Sequence, residues 1–196
     1  MKLAADPQLI TTLQSGGIAI IPTDTIYGLV GLANNRQTVE RIYQTKGRNP
    51  DKACIILISQ LQDLDLFKVT IDHETNTILT KLWPGEVSVI LPCPHEAFAY
   101  LHRGTNNLAF RLPAAPDLQK LLATTGPLVA PSANPEGRPP ATSITEAYTY
   151  FGPEIDYYVN TDETLIGEPS TLVAIKAGRV MIHRQGKVII PNNLLS

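Results

Sequence analysis

Cysteine is scarce in this chain. Cys54 and Cys93 are the only two in 196 residues, they stand far apart, and neither belongs to a CxxC pair, so neither a disulfide framework nor a cysteine zinc site is expected. Both lie in hydrophobic stretches, where a buried free thiol is the ordinary outcome. Long apolar runs are missing too: "IAII" and "CIILI" fall far short of the roughly 20 residues that cross a bilayer. The N-terminal "MKLAADPQLI" lacks the apolar core of a signal peptide, so a cytoplasmic protein with no membrane partner is expected. Excess charge is absent as well. A net charge of −2 argues against a protein that coats nucleic acid through many phosphate contacts, although it leaves room for a local basic patch. Aromatic residues, at 6%, are few for a surface that stacks bases.

Several motifs are missing in the same way. The four histidines form no HExxH, and the pair in "HEAFAYLH" is spaced by seven, so no resident metal site is expected. No GxxxxGK[ST] and no GxGxxG occurs, which excludes a P-loop and a standard dinucleotide fold. No GxSxG surrounds Ser132, which speaks against a serine-hydrolase triad.

What is present is the composition of a globular protein: 43% hydrophobic and 17% charged residues, enough to bury a sizeable core in one domain. The sixteen prolines are scattered and act as punctuation rather than as a polyproline tract. Asp6 and Pro7 start a helix that "LITTLQSGG" carries to a glycine stop. "IAIIPT" reads as a buried strand, with "IYGLVGLA" a second after a turn at Thr23 to Thr25. "RQTVERIYQTKG" repeats Val39, Ile42 and Tyr43 at helical spacing and ends at Gly47. "CIILIS" is a strand, helices follow around 60 to 67 and 72 to 83, and "EVSVILP" and "LAFRLP" are strands. Trp83, just before the first of these, reads as a core anchor. "APDLQKLLATTG" and "SITEAYTYFG" are helices on either side of "LVAPSAN", which runs from strand into loop. "YYVN", "TLVAIK", "RVMIHR" and "KVII" close the chain as strands. The alternation predicts an α/β domain, and its β-rich end predicts a mixed rather than an all-parallel sheet.

Polar residues gather where these strands end, the usual place for a site in an α/β protein. The stretch "KGRNPDK" reads in two ways. It is a basic helix end followed by a turn, or a wall in which Lys46 supplies a point charge and Arg48 a fork of donors to phosphate oxygens, with Lys52 beside them. "APSANPEGRPP" is a Ser/Asn turn bonding its own backbone, or a ligand loop. In "PTDTIYG" Asp24 forms a turn, while the threonine hydroxyls could recognise a small polar ligand.

Taken in order, "PTDTIYGL", "KGRNPDKACIILIS", "WPGEVSVIL", "LAFRLP", "VAPSANPEGRPPAT", "GEPSTLV" and "HRQGKV" resemble the motif series of the YrdC-like family, the threonylcarbamoyl-AMP synthases. The resemblance runs over about residues 8 to 190. It implies one twisted α/β domain over 1–196 with an open, positively lined cavity. It further implies an enzyme, a nucleotidyltransferase that joins L-threonine, bicarbonate and ATP into threonylcarbamoyl-AMP and pyrophosphate. Magnesium is expected with the ATP, and a downstream complex uses the product to modify tRNA, with a transient tRNA contact as a further expected partner.

Site roles follow from the same resemblance. Lys46 and Arg48 are the expected catalytic pair, facing the triphosphate with Lys52 in support. Ser132 and Asn134 contact the nucleotide phosphates, Arg184 closes over the nucleotide, and Asn107 reaches toward it. Thr23, Thr25, Arg111, Ala130 and Ser170 hold threonine, Arg111 by its fit to a carboxylate. The chain departs from the family pattern at Glu86 and Ser88 (PGPxT), at Glu136 (SANxSG), and at Leu57, near which many members carry a histidine. An RNA- or tRNA-binding accessory module without adenylating activity is the alternative, and adenylation or carbamoylation of a different small molecule is a third reading.

Overall fold

In the computed structural model, which describes residues Leu3 to Leu195, nine strands form one mixed sheet. The first helix, α1 (Pro7–Gln14), starts where the Asp6 carboxylate accepts hydrogen bonds from the amides of Gln8 and Leu9. Strands β1 (Ala19–Pro22) and β2 (Tyr27–Leu32) form an antiparallel hairpin. Helix α2 (Arg36–Lys46) is capped by Asn35 and stopped by Gly47, whose φ of 59° is the left-handed conformation that glycine adopts without penalty. After β3 (Ile55–Leu57) come α3 (His73–Leu82), β4 (Val87–Pro92), the single turn α4 (Ala99–His102) and β5 (Asn107–Arg111). The last part holds α5 (Pro116–Thr125), β6 (Leu128–Val129), α6 (Ile144–Phe151), β7 (Tyr157–Tyr158), β8 (Thr171–Lys176) and β9 (Arg179–Arg184).

The strand order is β7-β1-β2-β6-β3-β5-β4-β8-β9. Strand pairs β1/β7, β3/β5 and β4/β8 are parallel, and the others antiparallel. The mixed sheet is therefore as the alternation and β-rich end predict. Both faces are covered. Ile18 and Ile20 point to a core shared with Val39 and Ile42 of α2 and Phe151 of α6. Ala19 and Ile21 point the other way, against Leu9 and Leu13 of α1 and Leu118, Leu121 and Leu122 of α5. Two-sided burial explains why "IAII" is uniformly apolar rather than alternating.

Three expectations change. Residues Leu61–Phe67 form a 3-10 helix rather than an α-helix. It is pinned at its start by Asp63, whose carboxylate accepts from the Ser59 amide and hydroxyl. "KVII" is not a strand: the Lys187 amide donates to the Pro169 carbonyl, and the Val188 carbonyl accepts from Thr171 and Gln185 side chains, so those groups are bonded outside any ladder. The "YYVN" strand shortens to Tyr157–Tyr158. Trp83 is buried, as a core anchor should be, with its indole N–H on the Val87 carbonyl at 2.7 Å. Cys54 and Cys93 are both buried free thiols.

Strand β5 shows how the core supports a site. Its residues alternate, so Leu108 and Phe110 enter the core while Ala109 and Arg111 line a cleft on the other face. Phe110 is fully buried and meets the Phe67 ring edge-on, with centroids 5.2 Å apart. Phe110→Ala should cost about 3–5 kcal/mol of unfolding free energy, read from the shift of the midpoint in a urea titration.

Candidate active site

The cleft has a volume of about 410 Å³, in the range of small-ligand sites. It opens where the β1–β2 turn, the end of β5, the loop after β6 and the start of β8 converge. Its charged lining is Arg48, Lys52, Arg111, Arg138 and Arg184 against one acid, Glu136.

One wall is built from the β1–β2 turn and the end of β5. The Thr23 hydroxyl donates to the Ile26 carbonyl at 2.6 Å and accepts from the Thr25 amide, so it ties the turn. That leaves Thr25, whose hydroxyl lies 3.1 Å from Thr23 Oγ1 and accepts from Arg111 Nη1 at 3.1 Å. Arg111 Nη2 lies 2.9 Å from Asp24 Oδ1. This is a charge contact rather than an aligned hydrogen bond: among the described residues neither Asp24 oxygen, nor Arg111 Nε, has a hydrogen-bond partner. Burial pushes the Asp24 carboxyl up against the opposing pull of Arg111, and burial likewise lowers Arg111. A desolvated pair with donors and acceptors unused is costly; Arg111 belongs to the cleft lining and Asp24 does not. Asp24 is thus the buried counter-ion of Arg111, not merely a turn former. An acid two residues beyond a fully apolar strand was the signal, since a buried charge requires a partner.

Ser170 completes this wall. Its hydroxyl is 2.8 Å from that of Ser88, and its carbonyl accepts from Arg184 Nη2 at 2.8 Å. Ser88 stands where the family pattern has threonine, so the hydroxyl chemistry of that position is retained. Gly186, of "HRQG", allows the close approach: a Cβ there would collide with the Pro169 carbonyl and the Ser170 backbone. Ala130 lies in the lining with its amide on the Ile55 carbonyl.

The opposite wall comes from the end of α2 and the loop after β6. Arg48 is fixed by two carbonyls, Nε to Lys52 and Nη2 to Ala53, both at 2.9 Å, and leans on the Tyr43 ring. Lys52 Nζ lies 3.1 Å from Glu136 Oε1, and Arg48 Nη1 lies 3.9 Å from Glu136 Oε2. Ser132 and Asn134 are in the lining, but the Asn134 amide also braces its own loop by donating to the Pro135 and Arg138 carbonyls. The turn reading of "SAN" therefore holds for Asn134, whose side chain bonds its own loop. Arg138, from "EGRPP", joins the lining without having been singled out by sequence.

Two expected site residues lie outside that lining. Lys46 is 2% exposed and turned inward on the buried face of α2, with Nζ donating to the Ser132 carbonyl at 2.6 Å and to the Asn134 carbonyl. Burial, and secondarily the neighbouring Arg48, lower its pKa from 10.5 to about 8. Asn107 begins β5 and donates to the Thr105 carbonyl. At about 3.3 Å per residue it sits some ~13 Å along the strand from Arg111. The remaining expected residues, Thr23, Thr25, Arg48, Lys52, Arg111, Ala130, Ser132, Asn134, Ser170 and Arg184, share the one cleft. Among the described residues no group of three or more His, Cys, Asp or Glu side chains is placed to hold a metal ion.

Residues 11–186 match the Sua5/YciO/YrdC family model, described as "Telomere recombination". The chain is 30% identical over 188 residues to a threonylcarbamoyl-AMP synthase of Bacillus subtilis, covering 93% of this chain and 54% of that protein. It is 32% identical over 178 residues to one of Pseudoalteromonas translucida, covering 87% and 93%. The solved structure of Pyrococcus abyssi Sua5 complexed with L-threonine superposes with a TM-score of 0.82 at 30% identity, over 90% of this chain and 52% of that one. The chain spans about half the length of the Bacillus and Pyrococcus relatives. With a family match across nearly the whole chain and a shared fold, the chain belongs to the Sua5/YciO/YrdC family.

Proposed function

We propose that the chain is a threonylcarbamoyl-AMP synthase, with threonine held at the Thr25–Arg111 wall and ATP phosphates at the Arg48–Lys52–Arg184 wall. The observation that carries this reading is the joining of two unlike subsites in one cleft. A buried guanidinium donates to a threonine hydroxyl on one side, and several cations crowd the other. Curated relatives named threonylcarbamoyl-AMP synthase, and a relative complexed with L-threonine, support the same substrates.

In this reading the amine of threonine and bicarbonate form a carbamate, with loss of water. A carbamate oxygen then attacks the α-phosphorus as the bond to the departing pyrophosphate breaks. Such a displacement is served by alignment and charge neutralisation and needs no covalent nucleophile from the protein. Arg111 grips the threonine carboxylate with Asp24 fixing its charge, while Thr25 and Ser170 meet polar groups of the amino acid. Arg48, Lys52 and Arg184 neutralise the phosphates. Arg184 also donates to the Ser170 carbonyl, so ordering of one subsite bears on the other. Lys46 serves the phosphates from behind, by holding the carbonyls of Ser132 and Asn134 so that the loop's remaining groups face the cleft. Asn107, outside the cleft lining, steadies the connection into β5 through its bond to the Thr105 carbonyl. The lining offers no carboxylate cage for magnesium, because its one acid, Glu136, is already paired with Lys52 and Arg48. The ion would be carried by the phosphates and water.

Purified protein with ATP and magnesium should release pyrophosphate only when threonine and bicarbonate are both supplied, and release that ignores either omission would sink the reaction. Arg48→Ala should lower kcat/KM by about 100-fold while circular dichroism shows the fold retained; undiminished turnover would remove Arg48 from the phosphate wall.

A pH dependence follows from Lys46. Above about pH 8 the folded protein has released this proton, whereas the unfolded chain still binds it up to its ordinary value of 10.5. This group therefore adds stability as pH rises through that window, but the neutral amine donates fewer hydrogen bonds to the loop. ATP binding without threonine should weaken as pH passes about 8. Lys46→Arg, charged throughout, should lack that step in a calorimetric titration, and an identical step in this variant would assign it to another group.

A further inference from the structure

Glu136 stands where the family pattern has a small residue, and the fold uses it in a specific way. Its loop is not free to drift. The Glu136 amide donates to the Lys46 carbonyl at 2.8 Å, and Asn134 Nδ2 clasps the Pro135 and Arg138 carbonyls on either side. The carboxylate is thereby held over the two cations assigned above to phosphate, 3.1 Å from Lys52 Nζ and 3.9 Å from Arg48 Nη1. Arg48 cannot swing away to avoid it, because Nε and Nη2 are fixed on carbonyls, and Nη1 is the edge turned toward Glu136. A phosphate oxygen approaching that edge meets a carboxylate already in place.

We infer that Glu136 is an internal competitor for the phosphate subsite, a specificity-determining residue that lowers affinity for the triphosphate and for departing pyrophosphate alike; this rests on the nucleotide reading given above. A carboxylate carries one charge and sits in a pair more than a third exposed on the Glu136 side, so it holds the cations weakly. The more highly charged triphosphate displaces it, and the carboxylate returns to Lys52 and Arg48 as pyrophosphate leaves. The consequence is a site that binds its substrate less tightly but releases its product more readily.

The test is calorimetric binding of inorganic pyrophosphate to the whole chain and to Glu136→Gln, Glu136→Ser, Arg48→Ala and the Arg48→Ala/Glu136→Gln double variant. Both Glu136 variants should bind pyrophosphate about fivefold more tightly than the parent. The gain should shrink as salt is raised and shrink further when Arg48 is absent, leaving only the part owed to Lys52. If Arg48→Ala loses binding while the Glu136 variants bind no more tightly than the parent, the competitor role is overturned and the nucleotide subsite stands. If neither pyrophosphate nor ATP binds to any of these proteins, the nucleotide reading falls and this inference falls with it.

Discussion

A buried ammonium must find oxygens or lose its proton, and Lys46 finds them on the loop that follows β6. That one side chain, from the last turn of α2, fastens the helix end to the loop carrying Ser132, Asn134 and Glu136. The backbone adds to it, since the Lys46 carbonyl receives the Glu136 amide. Replacing the lysine with an apolar residue would leave carbonyls desolvated and unpaired, which is the expensive kind of error in a protein interior. The position of Arg48 two residues later, and that of Glu136 above it, both follow from this junction. So does the shape of one wall of the cleft.

The other wall depends on a different compromise. Asp24 and Arg111 are each nearly buried, and burial opposes the charge on both. Arg111 survives there because Thr25 and Asp24 face it, yet its Nε and both Asp24 oxygens stay without protein hydrogen bonds among the described residues. A pair arranged for stability alone would be more fully satisfied.

The departures from the family pattern divide into two kinds on this structure. Ser88 keeps a hydroxyl against Ser170 and changes little. Glu86 pairs with Lys187 at 2.8 Å, so its charge is answered locally. Glu136 is different in kind, because its partners are the cations of the cleft itself. Leu57 is fully buried against the α1 and α5 side of the sheet, away from the cleft lining, and serves as core there.

Local signals were legible where a cap, a glycine stop or the composition of a strand carries them. The Asp6 cap, the Gly47 stop and the buried character of "IAII" depend on neighbours in sequence or on strand composition, and they can be read from it. The 3-10 helix of Leu61–Phe67 and the loss of a strand at "KVII" could not, since Asp63 and Thr171 divert the backbone through side-chain bonds that periodicity does not register. For the site, residue types and their order along the chain identified most of the cleft's polar lining. Whether each faces the ligand was another matter. Lys46 and Arg48 look alike in "KGRNPDK", yet one turns inward and the other lines the cleft. Sequence by itself determined most of the elements, their buried faces and most of the chemical inventory of the site. Only the tertiary structure decided that Lys46 latches a loop, that Asp24 answers Arg111 and that Glu136 lies on Lys52 and Arg48. Those pairings join segments far apart in the chain, and their partners are chosen by desolvation and distance rather than by spacing.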